Sequence, residues 1–262
     1  MTQRPEYSDG APCWADLSTP DLAGAQRFYG ELLGWSFEAP RPELAHYTNC
    51  HIGGLRVAGM MPMMPMPPGQ AEPSSWSVHI KTSDLDAAAQ RALEAGGKLL
   101  CPRHEVADLG SMWIGLDPTG AVFELWQPKR HLGAELVDEP GAVCWHELYT
   151  RDGAAADRFY KAVFDYEQRH IGTCPDIDYT LYCRDGRPVC GRAQMNAAWG
   201  DLPPHWLTYF VVEDLEAALK KVRALDGRLL FGPIDAPHGA NAAVADPYGA
   251  AFAIIQRTSL TA

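Results

Sequence analysis

No stretch of the sequence approaches the ~20 consecutive apolar residues that a membrane-spanning helix needs. The opening residues, MTQRPEYSDGAP, hold no apolar core of a secretory signal. Runs of lysine or arginine that could follow a phosphate backbone are missing too, and 33 acidic against 22 basic residues give a formal charge of −11. The expected partners therefore include neither nucleic acid nor an anionic membrane surface. There is no Cys-x-x-Cys pair. The seven cysteines (Cys13, Cys50, Cys101, Cys144, Cys174, Cys183, Cys190) are scattered and odd in number, which is reduced, cytoplasmic usage. A Gly-rich phosphate loop, a nucleophile elbow and a Ser-His-Asp order are absent as well.

What is present is a chain of 262 residues, 47% apolar and 10% aromatic, long enough for two domains with a sizeable core. It is written twice. CWADLSTPDLAGAQRFYGELLGW, from Cys13, is answered by CWHELYTRDGAAADRFYKAVFDY, from Cys144, an offset of 131. WSVHIKTSDLDAAAQRALEAGGKLL, from Trp76, is answered by WLTYFVVEDLEAALKKVRALDGRLL, from Trp206, and DPTGAVFELWQ, from Asp117, by DPYGAAFAIIQ, from Asp246. The repeat predicts two domains of one ancestry, 10–128 and 141–258, joined by a linker over 129–140.

Each copy is bipartite. A short alternating run (CWADLST) feeds an amphipathic helix from about Asp21 to Leu33, strand-like segments follow, and a second run (WSVHIKT) feeds a second helix. Ser83 and Asp86 have the spacing of a capping box for that second helix, and Gly96-Gly97 marks its end. Asp117-Pro-Thr-Gly120 reads as a tight turn into a last strand. The unit is β-α-β-β-β, four times over, in an α+β fold.

Four such modules in tandem pairs, closing on DPxG and Phe-Glu-Leu, resemble the vicinal oxygen chelate superfamily of glyoxalase I, bleomycin-resistance proteins and extradiol dioxygenases. More narrowly, EYSDGAPCWADLSTPD, RFYGELLGW and RHLGAELVDE are similar to two-domain actinobacterial members typified by a mycobacterial antigen. The resemblance implies mixed sheets curled into cups, helices on the outer face, and small molecules bound in the cups. It also implies metal ligands at Trp14, Gly59, Ser77 and Glu124 in the first copy and at Trp145, Gly191, Leu207 and Ala253 in the second. Of these only Glu124 is a ligand type, so the usual metal site is expected to be missing and no cofactor is called for, with a divalent metal on displaced ligands as the alternative.

Side chains two apart share a face of a strand. With Trp14 facing the cup, Asp16 does too; likewise His79 and Lys81, and Glu124 with Trp126, while Cys13, Ala15, Leu17, Val78, Ile80, Phe123 and Leu125 fall on the helix side. The first cup is thus ionisable, with His79, Asp16 and Glu124 as candidate acid–base residues and Trp14, Lys81 and Trp126 as ligand contacts. A histidine facing carboxylates can equally be a satisfied structural pair, with Glu124 held by Lys81 or a backbone N–H. The second cup, with Trp145, Glu147, Tyr149, Leu207, Tyr209, Val211, Ala253 and Ile255, reads as greasy. Of the other histidines, His46 and His51 lie in a strand and hairpin region, HYTNCHIGG, from which they could reach a cup; His146 falls on the helix side, His205 at a strand start, and His104, His131, His170 and His238 in loops.

MMPMMPMPPG, from Met60, holds five of the eight methionines. Its prolines prevent a long central strand. Met61 and Met63 share the cup-facing parity of Gly59, as an adaptable rim or as filler between modules. The whole reads as a binder of an aromatic or partly apolar metabolite or antibiotic, with or without metal-free acid–base catalysis of an isomerase or lyase kind. The alternative is a metal-dependent lyase, hydroxylase or dioxygenase. Since both copies lie in one chain, a monomer or weak homodimer is expected.

Overall fold

The computed structural model describes residues 7–63, 74–172 and 178–258. Its first half runs β1 (Pro12–Thr19), α1 (Leu22–Leu33), β2 (Ser36–Phe37), β3 (Thr48–Ile52), β4 (Leu55–Pro62), β5 (Ser75–Lys81), α2 (Leu85–Glu94), β6 (Lys98–Val106), β7 (Gly110–Leu116) and β8 (Val122–Pro128). The second half repeats this order: β9 (Val143–Thr150), α3 (Gly153–Phe164), β10 (Glu167–His170), β11 (Tyr179–Arg184), β12 (Arg187–Gln194), β13 (His205–Val211), α4 (Leu215–Ala224), β14 (Arg228–Ala236), β15 (Gly239–Ala245) and β16 (Ala251–Arg257). The fold is α+β, as the repeat implies, with two mixed sheets of eight strands.

Each sheet is ordered by the same rule: β2-β3-β4-β1-β5-β8-β7-β6 and β10-β11-β12-β9-β13-β16-β15-β14. The two strands that open the modules, β1 and β5, pair antiparallel at the centre, and each takes the last strand of its own module as a parallel neighbour on the other side. Among the described residues the four α-helices start in the same way. Asp21, Asp84, Asp152 and Asp214 each accept the amide of the third residue on, satisfying one of the amides left over at a helix start. For α2 this corrects the capping box expected of Ser83 and Asp86: the cap is Asp84, and Ser83 bonds Asp9 instead, through its hydroxyl and its amide.

The helices are shared between the halves. One core joins α1 and β1, β4 and β5 to α4 and the inner faces of β13, β15 and β16; the other joins α2, β5 and β8 to α3 and to Leu148 and Trp206. Two polar clasps cross within these cores, and they explain why the Arg-Phe-Tyr, strand-opening Trp and Asp-Pro-x-Gly motifs recur together. The Tyr29 hydroxyl donates to Asp246 Oδ2 at 3.2 Å and accepts Trp76 Nε1 at 2.9 Å. Tyr160 does the same with Asp117 (3.2 Å) and Trp206 (3.1 Å). The other oxygen of each aspartate ties the Asp-Pro-x-Gly turn, accepting Thr119 and Gly120 amides in one case and Tyr248 and Ala250 amides in the other. Every buried polar atom of the clasp is thereby paired.

Residues 129–140, read as a linker, lie along the first half rather than standing off it. Ala134 N donates to Cys13 O, Glu135 N to Arg56 O, and Leu136 is fully buried. Of the methionine stretch, Met60 sits in the core and Met61 and Met63 are half-buried; Met64 to Gly69 lie outside the described residues.

The two largest cores are common property of both halves. Phe210, on β13, packs 5.5 Å from Trp35 and 5.2 Å from Trp76 of the first half. Phe210→Ala is expected to cost about 3–5 kcal/mol and to lower one common calorimetric transition. Two separated transitions, with only the second half shifted, would contradict the shared core.

Candidate functional site

On the face of the first sheet away from the helices, Asp16, His79 and Glu124 come together. Cross-strand pairing puts His79 opposite Glu124 on parallel β5 and β8, and Asp16 two residues along antiparallel β1 from Trp14, the partner of His79. His79 Nε2 lies 3.0 Å from Asp16 Oδ2, and Nδ1 lies 3.3 Å from Glu124 Oε2. The second contact is not aligned as a hydrogen bond, and neither of its two atoms has another partner among the described residues. All three side chains are buried, 5 to 8% exposed.

Around this triad stands a frame that the sequence reading did not assemble. Tyr47, just before β3, donates its hydroxyl to Asp16 Oδ2 at 3.2 Å and accepts Trp14 Nε1 at 2.7 Å. Its ring fits because residue 59 is glycine: a Cβ there would stand 1.8 Å from the Tyr47 oxygen. His131, assigned beforehand to a loop, is buried edge-on to Trp14 (centroids 4.4 Å apart), and its carbonyl accepts Trp126 Nε1 at 2.9 Å. Arg56 donates toward His131 Nδ1 at 3.2 Å and pairs with Glu135 at 2.6 Å. A glycine inside a strand is the sequence signal that could have found Tyr47, since it marks close approach of another group. Nothing in its spacing pointed to His131.

The two histidines are driven in opposite directions. Burial opposes charge on His79, but the carboxylates of Glu124 and Asp16 outweigh it and push the imidazole up to about 9. Burial, then the Arg56 charge and that of His79, bring His131 down to about 3. Burial and Asp16 also raise Glu124 above the usual carboxylate range, against the pull of His79. The site therefore holds a charged imidazole and a carboxyl group with raised proton affinity, side by side.

Such a set is a poor fit to the metal positions implied by resemblance. Trp14, Gly59 and Ser77 offer no nitrogen or carboxylate ligand, and the room above Gly59 is filled by Tyr47. His79 turns each ring nitrogen toward a carboxylate, so no imidazole lone pair is presented beside Glu124. Among the described residues no three His, Cys, Asp or Glu side chains have metal-holding geometry.

The remaining expected contacts divide. Trp14 and Trp126 are buried together, edge-on to His131. Lys81 does not meet Glu124, the pairing considered from sequence: it bonds Asp9 at 2.6 Å, because the N-terminal segment returns beside β5. The second cup is not greasy, which corrects the reading from its aliphatic positions. Glu147, at the position of Asp16, accepts hydroxyls from Tyr149 (2.8 Å), Tyr179 (2.6 Å) and Tyr209 (2.5 Å), and Trp145 Nε1 donates to Tyr179 at 3.1 Å. Tyr179 stands over Gly191 as Tyr47 stands over Gly59.

Comparison with known proteins gives the same architecture. A glyoxalase-like domain model matches residues 14–126, and the glyoxalase/bleomycin resistance protein/dioxygenase superfamily model matches 142–254. The chain is 35% identical over 261 residues to a putative glyoxylase, CFP32, of Mycobacterium tuberculosis, covering 98% of each chain. It is 33% identical to the anthracycline biosynthesis protein DnrV of Streptomyces peucetius, covering 95% of this chain and 94% of that one. Among solved structures, the Mn(II)-bound glyoxalase of Novosphingobium aromaticivorans superposes with a TM-score of 0.64 at 12% identity, covering 95% of this chain and 82% of that one. The 2,3-dioxygenase LapB of Pseudomonas sp. KL28 gives 0.63 at 15%, covering 95% and 93%. At such identities the likeness is one of fold.

A histidine whose folded pKa is raised stabilises the fold fully below its unfolded value and loses that contribution as pH rises through the folded one. A carboxyl raised by burial acts with the same sign, favouring the fold while protonated. Urea unfolding is therefore expected to show stability falling between about pH 6.5 and about pH 9, His79 accounting for on the order of 3 kcal/mol. His79→Gln is expected to flatten that slope. An unchanged slope in the variant would contradict the charge assignment.

Proposed function

Because the chain belongs to the glyoxalase/bleomycin resistance protein/dioxygenase superfamily, we propose that its first cup binds a small, partly aromatic metabolite and serves it as a metal-free acid. The observation that carries this reading is the buried Asp16–His79–Glu124 cluster, with a charged imidazole between two carboxylates. A carbonyl or phenolic oxygen entering beside Glu124 would meet the charged His79 as proton donor, with Glu124, whose proton affinity burial raises, beside it to take up or return a proton. Trp14 and Trp126 would flank the ring system, with Met61 and Met63 at the rim. The Streptomyces relatives are described as anthracycline biosynthesis proteins, which favours a polycyclic quinone or related ketone as the ligand class. The protein acts as a cytoplasmic monomer in this reading, its two halves supplying each other's core.

The acid fits proton transfer at a carbonyl, as in an isomerisation or elimination step, and it fits recognition of such an oxygen without turnover. It does not call on metal chemistry, and a fold likeness to a Mn(II)-bound glyoxalase at 12% identity carries none to this chain.

The test is titration of 1,8-dihydroxyanthraquinone into the protein, followed by tryptophan fluorescence, with and without chelator. Saturable binding indifferent to chelator is expected, weakened roughly tenfold in His79→Gln, the size of one lost charged hydrogen bond. Binding that needs added divalent metal would overturn the metal-free reading, and binding untouched by His79→Gln would remove the first cup from function.

A further inference from the structure

The second cup has a character of its own. Glu147 is half-buried, and its partners among the described residues are the hydroxyls of Tyr149, Tyr179 and Tyr209, with no lysine, arginine or charged histidine among them. Hydrogen bonds from phenols stabilise a carboxylate but leave its charge uncompensated. In the first cup the corresponding aspartate faces a charged His79; here that position is Tyr209, so the cation is gone and the acid remains.

Aromatic rings stand about this carboxylate. Trp199, on the single turn Ala197–Trp199, lies 5.0 Å from the Tyr149 ring; His205 stacks on the Tyr149 ring at 5.4 Å; Phe231, 55% exposed, lies 6.2 Å from Trp199. Trp145 adds its indole beside Tyr179. Burial holds His205 below its ordinary pKa, so its ring joins the cage uncharged. A ring face attracts a cation through its quadrupole, and a desolvated cation more strongly. A neutral apolar ligand would gain from the rings alone and leave the acid unused.

We propose that the second cup is a binding site for an organic ammonium group, its positive charge set against Glu147 and its alkyl substituents against Tyr149, Tyr209, Trp145 and Trp199. The net charge of −11 adds long-range attraction for such a ligand. This site is separate from the first cup and does not depend on the acid chemistry there.

Phenyltrimethylammonium and its neutral carbon counterpart, tert-butylbenzene, differ in charge but hardly in shape. Titrated into the full chain, the cation is expected to bind saturably and at least roughly tenfold more tightly than the hydrocarbon. Glu147→Gln is expected to remove most of that difference. Trp199→Ala, at the half-buried rim, is expected to weaken the cation severalfold and serves as the second variant if the Gln variant fails to fold. Equal binding of both probes, no saturable binding of the cation, or cation binding unaffected by both variants would each overturn the proposal.

Discussion

The rest of the molecule depends on a tyrosine of one half hydrogen-bonding a turn aspartate of the other, made twice. Tyr29 to Asp246 and Tyr160 to Asp117 fasten each half's first helix to the loop that launches the other half's last strand. Burying two carboxylates is costly unless their oxygens are filled, and the Asp-Pro-x-Gly turns fill them with backbone amides. With the helices committed to this shared interior, each sheet keeps one face that no helix covers. The cups are what the clasps leave over.

That arrangement allows the two faces to diverge without disturbing the core. Framing features were kept in both: Trp14 and Trp145 each donate to a tyrosine standing over a strand glycine, and Asp16 and Glu147 each accept from that tyrosine. Chemistry was exchanged around them. His79 and Glu124 on one side correspond to Tyr209 and Ala253 on the other, turning a cluster that can hold an extra proton into a lone carboxylate ringed by phenols. One chain thus presents an acid and an anion in otherwise similar frames.

Much of this was legible in the sequence. The internal repeat gave the modules, and strand parity brought Asp16, His79 and Glu124 to one face because alternation is dictated by the pleat itself. Parity says nothing about groups arriving from loops or neighbouring strands, so it does not reveal Tyr47, Tyr179 or His131, nor that Lys81, on the cup face by parity, pairs with Asp9. The second cup was misjudged for a related reason: counting aliphatic positions hid the fact that three phenols converge on one acid from three different strands or their ends. The capping box failed by one residue, since Ser83 had a better partner in Asp9.

His79, clamped between Asp16 and Glu124, carries a positive charge in this structure, and nitrogen NMR of histidine-labelled protein reads that charge. At neutral pH both ring nitrogens of His79 are expected to show the shifts of N–H groups, persisting until about pH 9 and collapsing in the Asp16→Asn, Glu124→Gln double variant. A lone-pair nitrogen at neutral pH, or one whose shift moves when manganese or zinc is added, would contradict it and make the first cup a metal site.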